Sequence, residues 1–118
     1  MNRAGNPGPR ECEPLDPFES WVASRHNLTR NSAMGLGATL ARLRKVATDE
    51  EILAGDIDAI ALRCPSVQKA IARHAADGHR VWALSRTMTS YRRAQTMLRG
   101  YRDEHGALPT VIRQDVIA

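Results

Sequence analysis

Helix-start signals recur along this chain, and no alternating strand pattern competes with them. Asp16-Pro17-Phe18-Glu19 sets a capping side chain before a proline at the first helical position, with an acid three residues after the cap. Thr48-Asp49-Glu50-Glu51 repeats the capping arrangement ahead of Ile52 and Leu53. Thr29, Asp56 and Ser66 are further caps, and Thr89 or Ser90 is expected to open the last clear helix. Stops are as plain. Gly55, Gly78 and Gly106 end helices, and Pro65 forces residue 64 out of helical space. A chain punctuated this often folds as short helices packed on one another.

Apolar spacing agrees. Phe18, Trp21 and Val22 share one face of a first helix that ends near His26 and Asn27. Ala33, Leu36, Leu40, Leu43 and Val46 (or Ala47) recur at three- and four-residue steps in the second, where Gly35 and Gly37 permit close approach of a neighbour. Ile57 and Ile60 mark a further turn, and Val67, Ala70, Ile71 and Ala75 the inner face of another helix. Tyr91, Ala94, Leu98 and Tyr101 line the last. Residues 79–88 carry Val81, Trp82 and Leu84 but read equally as helical turn or loop. The expected fold is all-α, a single compact bundle of five to six short helices. Residues 1–14, broken by Pro7, Pro9 and Pro14, form a flexible N-terminal arm; residues 15–112 form the helical domain; residues 113–118 are a C-terminal tail. Leu108, Pro109, Val111 and Ile112 are apolar enough to pack back on the domain.

With 118 residues the chain holds one domain, and with five aromatic residues its core is aliphatic. Cys12 and Cys64 are too few for a disulfide framework. The start is polar, and no apolar run reaches the ~18–20 residues that cross a bilayer, so a cytoplasmic protein without membrane contact is expected.

Catalytic chemistry has no obvious seat. Asp49, Glu50 and Glu51 adjoin, but at a helix start, where acids complement the dipole. Cys64, His74 and His79 lack the close ligand pairing of a zinc site, so no metal is expected. Gly35-Leu36-Gly37 lies within a helical pattern and is no phosphate loop. No catalytic residue, no cofactor and no enzymatic activity are expected.

Charge carries the functional reading. The formal net charge is +4, and it is blocked. Residues 25–45 hold five bases and no acid; residues 49–58 hold five acids and no base; residues 63–102 hold nine bases against Asp77 alone. Basic blocks concentrate polyanions and speed their encounter. In the last helix, Arg92, Gln95, Thr96 and Arg99 fall opposite the apolar face, with Arg93 and Arg102 at its flanks. Arg makes bidentate contacts to phosphate or guanine, and Gln reads adenine.

The pattern Phe18-x-x-Trp21, then Leu28-Thr29-Arg30-Asn31-Ser32, then Leu40-x-x-Leu43, resembles the start of the core-binding (SAM-like) domain of tyrosine recombinases and phage integrases. Thr89-Ser90-Tyr91-Arg92-Arg93-Ala94, Leu98, Tyr101 and Arg102, closing on His105-Gly106-Ala107-Leu108-Pro109, echo the same domain's last helix. Where that family carries an aromatic in its second helix, this chain has Met34-Gly35-Leu36-Gly37. The resemblance implies a SAM-like bundle that clamps duplex DNA through phosphates, without the catalytic half. It implies contacts from Thr29, Arg30, Asn31 and Ser32 and from Arg92, Arg93 and Arg99. Arg42, Gln95 and Thr96 join this candidate set on charge and placement. The expected function is thus a non-catalytic DNA-binding module with duplex DNA as partner. The alternative is a small protein-interaction adaptor or inhibitor from a mobile genetic element, phage or plasmid, with a protein partner or self-association.

Overall fold

In the computed structural model, which describes residues 14–76 and 81–109, six helices follow one another: α1 (Pro17–Arg25), α2 (Arg30–Val46), α3 (Asp49–Ala54), α4 (Ile57–Ala61), α5 (Pro65–Ala76) and α6 (Val81–His105). No strand occurs among the described residues, so the fold is the expected all-α bundle. Residues 1–13 of the expected arm over 1–14, the Gly78 stop, His79, Val111, Ile112 and the tail over 113–118 lie outside the described residues.

Local chemistry sets most boundaries. Asp16 caps α1 by accepting from Glu19 N (2.8 Å), while the Glu19 carboxylate accepts from Asp16 N (3.1 Å). Thr48 and Glu51 close the same reciprocal box on α3. Thr29 caps α2 and Asp56 caps α4. After α1 the chain turns through Asn27 at φ 54°, a left-handed position that Asn tolerates better than most side chains.

Two expected starts move. The last helix begins at Val81, so Thr89 and Ser90 lie exposed on its body and do not cap it. Met88 is buried three residues before Tyr91, which carries the apolar stripe backward past the expected cap. At 25 residues this helix is not short. Ser66 likewise lies inside α5, whose first turn opens on Pro65 with the Cys64 carbonyl accepting from Val67 and Gln68. The Ser66 hydroxyl instead meets the Tyr91 hydroxyl at 3.1 Å. Ala75, expected inward, is exposed.

α6 is the spine, packing against all five other helices. Its Met88, Tyr91, Ala94, Met97 and Leu98 meet Phe18 and Val22 of α1, Leu36, Leu40 and Leu43 of α2, Ile52 of α3, Ile57 and Ile60 of α4, and Val67 of α5 in one core. Each fully buried large aliphatic in it stabilises the fold by roughly 1.5–3 kcal/mol. Leu108 packs on the same core and Pro109 is buried, as expected of a segment that folds back. Among the described residues no helix is long and apolar enough to cross a membrane.

Two polar contacts fix how α1 sits. Glu19 is fully buried. A Cβ placed on Gly37 of α2 would lie 2.8 Å from Glu19 Cγ and 2.9 Å from Cδ, and closer still to Oε2. The close approach expected of the second helix is therefore made at Gly37, against a carboxylate side chain. At the far end of α1, Trp21 packs edge-on to Tyr101 at 5.6 Å and donates its indole N–H to Glu104 (3.0 Å). Arg25 Nε meets the other oxygen of Glu104 at 2.6 Å. The indole N–H first, and Arg25 second, hold the Glu104 carboxyl below its usual range.

Helix propensity alone favours alanine over glycine by about 1 kcal/mol. Gly35, where a Cβ would meet nothing, should follow that rule, so Gly35→Ala raises stability by up to ~1 kcal/mol. Gly37→Ala should reverse it and cost about 1–3 kcal/mol in denaturant unfolding, because the Glu19 carboxylate is already committed to its cap. Glu104 gives a pH signature. A carboxylate whose folded value is depressed stabilises the fold at neutral pH, and that contribution fades as the pH falls below about 4. Glu104→Gln should flatten this acid limb of the stability–pH curve.

Candidate nucleic-acid interface

The candidate residues divide between two places. Thr29, Arg30, Asn31 and Ser32 form the start of α2. Thr29 Oγ1 accepts from Ser32 N (3.1 Å) and donates to Ser32 Oγ (3.0 Å), so both hydroxyls serve the cap. Asn31 is exposed, and Arg30 is half-buried with a buried Nε that has no hydrogen-bond partner among the described residues. Arg42 lies three turns further along α2. Its carbonyl oxygen faces the Cys64 sulfur at 3.8 Å, and burial pushes that thiol upward. Thr29 and Ser32 bond to each other within the first turn of α2, whereas Arg92, Gln95 and Arg99 reach across to α3 and α4.

On α6 the expectation of one open Arg–Gln face needs correction. Gln95 is 7% exposed. Its amide Nε2 donates to Ile52 O (2.8 Å) and Gly55 O (3.1 Å), so it faces α3 and not solvent. Arg99, one turn on, donates Nε to Leu53 O at 2.6 Å. The physical reason lies in α3. A helix of six residues leaves its last carbonyls without partners inside the helix. Glu51 O receives Gly55 N, and the next two carbonyls are met by Gln95 and Arg99 from across the bundle. The Arg99 cation also suits the negative end of a helix dipole.

Arg92 is engaged as well, although its side chain is exposed. Its Nε and Nη2 meet the two carboxylate oxygens of Asp58 at 2.9 and 2.7 Å. The hydrogen bonds from Arg92 hold the Asp58 carboxyl below its ordinary range. Thr96 is exposed, its hydroxyl donating to the Arg92 carbonyl (3.1 Å), and Arg93 is exposed.

The acidic block explains this pattern. Asp49 pairs with Arg44 of α2 at 2.7 Å, Glu51 with Arg63 at 3.4 Å, and Asp58 with Arg92 of α6 at 2.7 Å. Acids that are close neighbours in sequence thus tie together bases from three parts of the fold. The cations that remain outward lie elsewhere. Lys69 and Arg73 are exposed four residues apart on α5, and Arg93 is exposed on α6; none has an ion pair among the described residues. Lys69 and Arg73 are not among the residues expected from the sequence to bind. Their signal is nonetheless present there: two cations at helical spacing on a segment without acids.

No group of three or more His, Cys, Asp or Glu side chains among the described residues is placed to hold a metal ion. Asp49 and Glu51 have the structural partners given above, and Glu50 is exposed.

A residue whose sole task is DNA contact can be removed at little cost to stability. Gln95 should behave otherwise. Gln95→Leu leaves the Ile52 and Gly55 carbonyls unpaired and should destabilise the chain by about 1–3 kcal/mol in chemical denaturation. Arg99→Ala, on a more exposed bond, should cost less.

Set beside known proteins, the chain matches no family model, no curated protein and no solved structure.

Proposed function

We propose that this chain is a non-catalytic DNA-binding module that contacts duplex phosphates with basic helices. The observation that carries the reading is the acid-free stretch formed by α5 and by α6 as far as Arg102, ahead of Asp103 and Glu104. Over residues 65–76 and 81–102 the sequence holds seven cations and no acid. The two helices pack on each other, with Ser66 and Tyr91 hydrogen-bonded between them. Lys69, Arg73 and Arg93 are exposed on them, and phosphate contacts from such side chains supply affinity without sequence reading. The core-binding resemblance points to the same class of partner. Gln95 is removed from the interface and Arg99 is partly engaged, so the reading favours backbone contact over base recognition.

The adaptor alternative draws on the acid cluster as a docking patch. Asp49, Glu51 and Asp58 are engaged with Arg44, Arg63 and Arg92, which leaves that patch less to offer a protein.

A mobility-shift titration tests the proposal. At about 50 mM salt and micromolar protein, a short random-sequence duplex should shift, and the affinity should fall steeply as salt rises. Lys69→Glu combined with Arg73→Glu should weaken binding at least about tenfold, because two phosphate contacts become repulsions. No shift with the unaltered chain overturns the reading.

A further inference from the structure

We propose that Asp58 is an internal competitor for phosphate, closing the Arg92 guanidinium fork until a nucleic-acid backbone displaces it. The inference rests on the DNA-binding reading and adds a self-limiting contact to it. A carboxylate that meets Nε and Nη2 together occupies the fork in the way two phosphate oxygens would. The pair is about half exposed on both sides, 49% for Arg92 and 42% for Asp58. A strand approaching α6 therefore reaches it without opening the core.

The pair is not what holds α4 in place. Ile57, Ile60 and Ala61 bury that helix, and Asp56 caps it. Ion pairs this exposed contribute little to stability. Release of Asp58 needs only a side-chain rotation, after which the carboxylate is solvated and the guanidinium is free for phosphate. Arg93 and Thr96 are exposed beside Arg92 on the part of α6, up to Arg102, that holds no acid, so a strand held there meets a cation already neutralised by its own chain. The exposed cations Lys69, Arg73 and Arg93 would make the first contacts, and Arg92 would join by exchange.

The test is Asp58→Asn, which keeps shape and capping geometry and removes the charge. Binding of a short random-sequence duplex should tighten about three- to fivefold, the competition removed being that of one exposed ion pair. The salt dependence should steepen by about one phosphate contact. Glu50→Gln, which changes net charge equally on an exposed acid of the same block, should give a smaller gain. In an Arg92→Ala background, Asp58→Asn should gain no more than Glu50→Gln does. An equal gain with and without Arg92, or none from Asp58→Asn in a chain that binds duplex, overturns the inference while leaving the DNA reading intact. Failure of every variant to bind duplex overturns both. Thermal unfolding of Asp58→Asn should stay within a few degrees of the unaltered chain; a larger drop would mean that the pair holds the fold and is no gate.

Discussion

The amide of Gln95 holds together parts of the chain that would not stand by themselves. α3 and α4 have six and five residues, well below the ~12–15 at which an isolated helix becomes marginal in water. They persist because the spine helix supplies what they lack. Apolar side chains of α6 cover Ile52, Ile57 and Ile60, and Gln95 and Arg99 donate to the carbonyls that so short a helix cannot pair internally. The order of dependence runs from α6 outward: α2 and α1 pack on it, and the short helices hang from its polar flank.

Electrostatics obeys the same logic. A cluster of like charges such as residues 49–58 would repel itself if left alone. Here it is drawn out into contacts with Arg44, Arg63 and Arg92, each from a different part of the bundle. The consequence is a polarised surface. Negative charge is consumed inside the network of short helices, and positive charge is left over on α5 and α6. A modest net excess is thereby concentrated on α5 and on α6 as far as Arg102, ahead of Asp103 and Glu104.

The legible part of this fold was the part governed by neighbours in sequence. Asp16 with Glu19, Thr29 with Ser32, and Thr48 with Glu51 act within one turn, as does Asp56 with the amides just after it, so spacing was enough to place four helix starts. Ser66 and Thr89 carry the same side-chain chemistry and were misplaced, because a cap and a body position can share a side chain and differ only in how far the helix runs on either side. Gln95 shows the limit for function. Its polar amide put it on the outer face by composition, yet its position on the helix wheel lies at the edge of the apolar stripe. Only the arrival of α3 decides which neighbour that amide finds. Lys69 and Arg73 were legible as paired cations, but the charge density of the last helix and the core-binding resemblance both pointed away from α5.

Glu19 and Gly37 form a lock between positions far apart in sequence. One carboxylate both closes the first helix and fills the space that a side chain on the second would take. Neither position is therefore free to vary alone. A larger residue at 37 is compatible with this crossing only if position 19 shortens, and shortening 19 removes the carboxylate half of the capping box on α1, leaving only the Asp16 half. Among chains sharing this architecture, substitutions at the two sites should travel together. A glycine that looks like a weak point in a helix is in fact the partner that specifies a distant acid.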